Sequence, residues 1–127
     1  YEYGVTFERG VAITYGDRRH VFVSGTASID RYGEIVHPGN VIKQSERMIE
    51  NITALLNEAG ADLNDIMQAI VYIRDTADFA RVEQYMKANH PDIPYLIVRA
   101  PVCRPGWLVE IECIAVVAVD EPEYPSL

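Results

Sequence analysis

The chain has 127 residues, which is the usual size of one compact domain and too short for two domains joined by a linker. Hydrophobic residues make up 49% and charged residues 24%, a composition that excludes general disorder. The 19 acidic residues outnumber the 11 basic ones, and the net charge of -8 disfavours nucleic acids and anionic membrane surfaces as partners. Since no apolar run approaches the roughly 20 residues that cross a bilayer, we expect a single domain over residues 1–127 without a membrane span.

The first half of the sequence predicts a β-hairpin and then a long helix. Strands at 11–15 and 20–24 are rich in β-branched and aromatic residues and flank a turn at 16–17. From residue 41 to residue 59 the apolar residues recur with the period of one helix face. Gly60 suits the left-handed position that ends such a helix.

The second half predicts a strand, a second helix and two further strands. Residues 66–73 are read as a strand, and Thr76 is placed to cap a helix that a proline stops at its far end. Further strands are expected at 93–99 and 107–119, followed by a proline-containing tail over 119–127.

This order of elements predicts an α+β fold, with one mixed sheet and both helices packed on one of its faces. The other face would then be an apolar patch larger than monomers usually expose. We therefore expect that face to meet other subunits in a small oligomer.

The cysteines and histidines do not suggest a metal site. Cys103 and Cys113 fit neither a CxxC redox pair nor a zinc-binding pattern, and the three histidines share no ligand-like spacing. No signal-like segment precedes the globular pattern, so we expect a reduced, cytoplasmic location.

Two glutamates stand inside the last apolar strand. Glu110 and Glu112 alternate with apolar residues, so they point to the same face of that strand. A carboxylate in such a setting is suited to position a water or to move a proton. The alternative is that one acid pairs structurally with an arginine at a subunit boundary while the other is solvated.

Short segments along nearly the whole chain resemble one known family. These segments are Val23-Ser24-Gly25-Thr26, Gly33-Glu34-Ile35, the helix around 47–52, Glu58-Ala59-Gly60, Asp65-Ile66, Val71-Tyr72-Ile73, Asp78-Phe79, Val109-Glu110-Ile111-Glu112 and Ile114-Ala115-Val116. In this order and spacing they resemble the RidA/YjgF family, the reactive intermediate deaminases, which is also described as endoribonuclease L-PSP-like.

The resemblance implies a chorismate-mutase-like fold and a homotrimer whose sheets form an inner barrel, with small-molecule clefts between subunits. In the family's deaminases, a cleft arginine grips the substrate carboxylate, and a glutamate positions the water that attacks an imine or enamine carbon and releases ammonia. No metal or organic cofactor takes part. Glu110 matches that glutamate, while Ser24 and the adjacent Gly25 match the lining of the cleft.

Three positions depart from the pattern of the deaminases. Leu96 stands where the resemblance places the carboxylate-binding arginine, Phe7 stands in place of a cleft tyrosine, and Glu83 replaces an asparagine of the second helix. Replacing arginine with leucine removes charge-assisted hydrogen bonds that contribute about 1.5–3 kcal/mol each. Whether the chain is a hydrolase of the deaminase type therefore stays open.

Arg99 and Arg104 are the candidates to replace the missing arginine. Arg99 is three residues beyond Leu96, so in an unbroken strand it points to the opposite face, and a bulge before Pro101 would be needed to bring it round. Arg104 lies in the following loop. The alternative for both is a structural pairing with the nearby glutamates.

The segment 98–112 is also similar to the closing segment of the chorismatases, which are far longer proteins. Their glutamate corresponds to Glu110, and one subtype has a cysteine where Cys103 stands; the alternative for Cys103 is a small buried residue. A second possible function is therefore chorismatase-like chemistry, or binding of chorismate or an aromatic carboxylate without catalysis. A ribonuclease or translation inhibitor ranks third because of the net charge of -8.

Overall fold

The computed structural model describes residues 4–7, 10–27, 39–100 and 108–120, with 4–7 and 24–27 described by their backbone alone. The elements are strands β1 (Gly4–Phe7), β2 (Gly10–Thr14), β3 (Arg18–Ala27), β4 (Ile66–Ile73), β5 (Tyr95–Arg99) and β6 (Val109–Ala118), and helices α1 (Val41–Glu58) and α2 (Phe79–Asn89). They follow the predicted order of strands and helices, with β1 added at the start. Among the described residues, no helix is both long and apolar enough to cross a membrane.

The strands form one mixed sheet in the order β1-β2-β3-β6-β4-β5. Neighbouring strands are antiparallel except for β4 and β5, which run parallel and are connected through α2. β6 lies between β3 and β4, so it is flanked on both sides. The predicted α+β architecture is confirmed.

Helix α1 is defined by clear signals at both ends. It begins after Asn40, whose side chain accepts a backbone N–H bond from the first turn at 3.0 Å. At the other end, Gly60 has a φ of 82° and its N–H donates to the Asn57 carbonyl, while the Ala61 N–H donates to the Leu56 carbonyl. This pair of bonds is a Schellman motif, and it confirms the predicted role of Gly60.

The core lies between the sheet and the helices. Helix α1 packs on β3 and β6 and also contacts α2, so both helices occupy one side of the sheet. The fully buried side chains of Met48, Ile52 and Leu56 from α1 belong to the same cluster as Val21 and Ile111 from the sheet. Burial of these apolar side chains stabilises the fold by roughly 1.5–3 kcal/mol for each.

Two local predictions are wrong. Thr76 does not cap the second helix; instead the Asp75 carboxylate accepts the Ala77 N–H at 2.9 Å, and a 3-10 turn at Thr76–Asp78 leads into α2. β3 also extends past its predicted end, because a register shift between Val23 and Thr26 lets pairing resume after an inserted residue.

The predicted tail begins with an ordered contact. The N–H of Val119 donates to the carbonyl of Asp17 at 3.1 Å, which ties the end of β6 to the hairpin turn. Residues 121–127 lie outside the described residues.

Candidate active site on the helix-free face of the sheet

The two faces of the sheet differ because side chains alternate along each strand. In β6, Val109, Ile111 and Cys113 are buried toward α1, whereas Glu110 and Glu112 take the opposite side. We call that side the open face; it includes Val11, Ile13, His20, Phe22, Gln68, Ile70, Tyr72, Leu96, Val98, Glu110, Glu112, Ile114 and Val116.

Tyr72 lies beside both glutamates of the open face and binds one of them. It is the register partner of Glu110 across the β4–β6 pair, and Ile70 is the register partner of Glu112. The Tyr72 hydroxyl donates a hydrogen bond to Oε1 of Glu112 at 2.7 Å, which is a diagonal contact between the strands. Glu110 is 8% exposed, so its carboxylate is largely withdrawn from water.

The negative charge of this pair acts on its neighbours. The pKa of the Tyr72 hydroxyl is raised, first by its hydrogen bond to Glu112, then by burial and by the charges of Glu112 and Glu110. Burial, with a smaller effect of Glu112, raises the pKa of the Cys113 thiol to about 12. The two carboxylates at the centre of the open face therefore act on side chains of both faces of the sheet.

The backbone just before Glu110 is fixed by two contacts to Leu108. The buried side chain of Gln44 accepts the Leu108 N–H through Oε1 at 2.9 Å, and the Arg74 N–H donates to the Leu108 carbonyl at 3.1 Å. Sequence reasoning did not identify Gln44. Its signal was a polar residue within the apolar stripe of α1, between Val41 and Met48.

Leu96 lies on the open face at the β5 edge. It is 64% exposed and pairs with Ile70, while Val98 pairs with Tyr72. The surface beside the glutamates is therefore apolar on this side. Arg99 is in register with Ile73, and β5 pairs with β4 without a bulge, so Arg99 belongs to the other face, as an unbroken strand requires.

Glu83 is not brought to the open face within one chain. It lies on α2, where it forms an ion pair with Lys87 at 3.2 Å. Together with Phe79 these residues line a shallow surface pocket of about 490 Å³. Within one chain, Glu83 therefore belongs to the helix side of the sheet and Glu110 to the open face.

The other predicted ligand positions are described in part or not at all. Phe7 pairs with Gly10 through its backbone, and Ser24 and Gly25 lie where the β3 register shifts, without described side chains. Cys103 and Arg104 lie outside the described residues. Within the described ranges, no three His, Cys, Asp or Glu side chains come together as a metal-binding group.

Fold and face together define a class, the small α+β proteins with a mixed sheet whose two helices among the described residues both lie on one face. The chain belongs to the endoribonuclease L-PSP family, that is, RidA/YjgF, because the family model matches residues 9–117. This confirms the resemblance that the sequence motifs carry.

Relatives and solved structures agree with the assignment. The chain is 40% identical to a RutC family protein of Pyrococcus abyssi, over 75% of this chain and 76% of the relative. It is 31% identical to the 2-iminobutanoate/2-iminopropanoate deaminase of Capra hircus, over 77% and 73%. RidA from an Antarctic Psychrobacter has a TM-score of 0.69 at 28% identity and covers 92% of this chain and 88% of its own.

A chorismatase shares the fold. Its structure has a TM-score of 0.74 at 24% identity and covers 87% of this chain, but only 36% of the chorismatase chain is matched. At this level of identity the likeness concerns the fold alone.

Proposed function

We propose that the chain forms a homotrimer that binds a small metabolite in clefts between subunits and hydrolyses an imine or enamine there, releasing ammonia. The observation that carries this proposal is the buried Glu110 carboxylate in the central strand of the open face. The deaminase names of relatives such as the Capra hircus protein support the reaction class. The cytoplasmic location stays a prediction.

The proposed chemistry needs one carboxylate and one water. Glu110 takes a proton from a water while the water oxygen bonds to the C=N carbon, and it returns this proton to the nitrogen to give a carbinolamine. Glu110 then takes the hydroxyl proton of the carbinolamine and passes it to the nitrogen, so the C–N bond breaks, its electron pair leaves with the nitrogen as ammonia, and the carbon becomes a carbonyl. An enamine enters the same path after it is protonated on carbon.

The trimer is supported by the character of the open face. Phe22, Leu96 and Val98 are all more than a third exposed, and Ile114 is the register partner of Phe22 on the neighbouring strand. Covering this patch with other subunits removes apolar surface from water and encloses the surface near Glu110 in a cleft. Sedimentation or light scattering measures the oligomeric state. A stable monomer at micromolar concentration would contradict the proposal.

We propose a substrate other than a simple 2-imino acid. The reason is that Leu96 has no charge with which to bind the carboxylate of such an acid. An ammonia-release assay should compare 2-aminoacrylate-type enamines with imines that lack a carboxylate. Leu96→Arg is the matched variant: we expect it to improve kcat/KM for the carboxylate-bearing substrates by about tenfold or more, since one charge-assisted bond contributes about 1.5–3 kcal/mol.

The second candidate is binding of chorismate or an aromatic carboxylate, with or without hydrolysis. It is favoured by the apolar surface that Leu96 and Val98 provide beside Tyr72. Calorimetry with chorismate, alongside the ammonia assay, separates the two candidates. Heat of binding without ammonia release from any imine would favour this second function, and RNA cleavage, our third possibility, is disfavoured by the net charge of -8.

A further inference from the structure

The open face presents two carboxylates, and they are held differently. Glu110 and Glu112 extend from the same side of β6, but the Tyr72 hydroxyl reaches diagonally past its own register partner, Glu110, to Glu112. At 2.7 Å from Oε1, this is a short hydrogen bond to a carboxylate, of the charge-assisted kind. The two acids point to the same side of β6, but the Tyr72 hydroxyl binds only Glu112 of the two.

We propose that Tyr72 is a positioning residue that holds the Glu112 carboxylate and thereby leaves Glu110 as the one acid that meets ligand and water. This inference rests on the proposed function, because it names how that site selects its base. Tyr72 acts through Glu112 and does not itself touch the reacting atoms.

The reason for such a device is competition between neighbouring acids. Without the hydrogen bond from Tyr72, the Glu112 carboxylate can turn toward Glu110 and compete for the same water proton. The water would then bind in more than one orientation, and only one of these orientations suits the attack. A tyrosine hydroxyl has one proton to donate, and here it is committed to Glu112. Tyr72 from β4 and Cys113, which lies toward the helices, are two titratable groups whose pKa values this pair raises.

The kinetic test is Tyr72→Phe, which keeps the ring and removes the hydroxyl. We expect kcat to fall by about tenfold with KM changed less than twofold, since one hydrogen bond to a charged group is lost and ligand contacts remain. Tyr85→Phe is the control, because Tyr85 is a half-buried tyrosine on α2, away from the open face, and its kcat should equal that of the unaltered chain.

A double variant tests whether Tyr72 acts through Glu112. In a Glu112→Gln background, Tyr72→Phe should cost little further activity, because the partner that it positions has already lost its charge. Full, additive losses would overturn the proposal. A loss confined to KM in Tyr72→Phe would also overturn it, because it would indicate a direct ligand contact.

A titration of Tyr72 decides the matter independently of turnover. Followed by NMR of labelled tyrosines, the pKa of Tyr72 should fall toward its ordinary value in Glu112→Gln, and less so in Glu110→Gln. If the unaltered chain releases no ammonia from any substrate, the proposed function fails while this titration still reports on the pair. An unchanged Tyr72 titration in Glu112→Gln would refute the positioning role.

Discussion

The two faces of β6 share one backbone, yet they differ in burial and in the polarity of their side chains. Toward the helices, Val109, Ile111, Cys113 and Ala115 are all at most 4% exposed and belong to the hydrophobic core. On the opposite side the alternate positions carry two glutamates and then two aliphatic residues, and neither of the two described helices packs there. The covered side stabilises the fold, and the open side carries the acids.

This difference teaches that neighbouring residues of one strand should respond to substitution in opposite ways. A change on the covered side should reduce the free energy of unfolding with little specific effect on chemistry. A change on the open side should alter turnover or association while the folded subunit persists. Four substitutions or measurements probe this division, in decreasing order of expected effect.

The largest effect is expected for Glu110→Gln. This change keeps the shape of the side chain and removes the base, so turnover should fall by about two to four orders of magnitude. Ammonia release measures the loss, and thermal unfolding and sedimentation should be close to those of the unaltered chain. Glu50→Gln, at an exposed position of α1, is the matched control and should leave turnover unchanged.

The opposite outcome has a definite meaning for Glu110. Retained turnover together with a loss of trimer stability would assign Glu110 to a structural pairing with an arginine, because that arginine would be left without its partner charge. The chemistry would then have to be sought on another residue.

The next effect concerns Cys113, on the covered side. Burial raises the pKa of this thiol to about 12 from an ordinary value of 9.0. The reactive thiolate is therefore scarce near pH 8, and alkylation should be about a thousandfold slower than that of an exposed thiol. The measurement uses Cys103→Ser, so that a single thiol reports; fast labelling before denaturant is added would contradict the covered position.

Ile111→Ala and Ile114→Ala compare the two sides directly. Ile111 is fully buried, and its truncation should cost about 2–5 kcal/mol of unfolding free energy. Ile114 lies on the open face, so its truncation should cost less in the subunit but weaken self-association. Denaturant unfolding and sedimentation at matched protein concentrations separate the two effects; equal stability losses would show that the faces are not distinct.

The smallest of the four effects is expected for Gln44→Leu. This change leaves the N–H of Leu108 without its side-chain acceptor, which should cost about 1–3 kcal/mol of unfolding free energy. Gln84→Leu on exposed α2 should stay within about 0.5 kcal/mol of the unaltered chain. If both variants unfold at the same denaturant concentration, the contact to Leu108 contributes nothing to stability.

Local patterns were sufficient for much of the fold. The helical period of α1, the glycine that ends it and the alternation of β6 all depend on residues close in sequence, and each predicted feature is found. The cap predicted at Thr76 was wrong because a 3-10 turn capped by Asp75 precedes α2, and α2 itself begins after Asp78 without a side-chain cap.

The contacts that shape the site could not be predicted in the same way. Tyr72 and Glu112 meet because β4 lies beside β6, and Gln44 reaches Leu108 because α1 crosses the start of β6. Neither the order of strands nor their register follows from hydrophobic period. Glu110 and Glu112 were both noticed because an acid within an apolar strand is a local signal, and the family resemblance then singled out Glu110 of the two.

The central position of β6 has a consequence for biosynthesis. β3 and β4 both pair with β6, so Val21 must find Ala115 and Val71 must find Ile111 across long stretches of chain. At about 5–20 residues per second, a ribosome exposes the hairpin and α1 for several seconds before residues 109–118 emerge. The nascent chain meanwhile presents two strands without their central partner, so folding is a late, cooperative and comparatively slow event. A stop codon before residue 109 should therefore yield an aggregating fragment rather than a smaller folded domain.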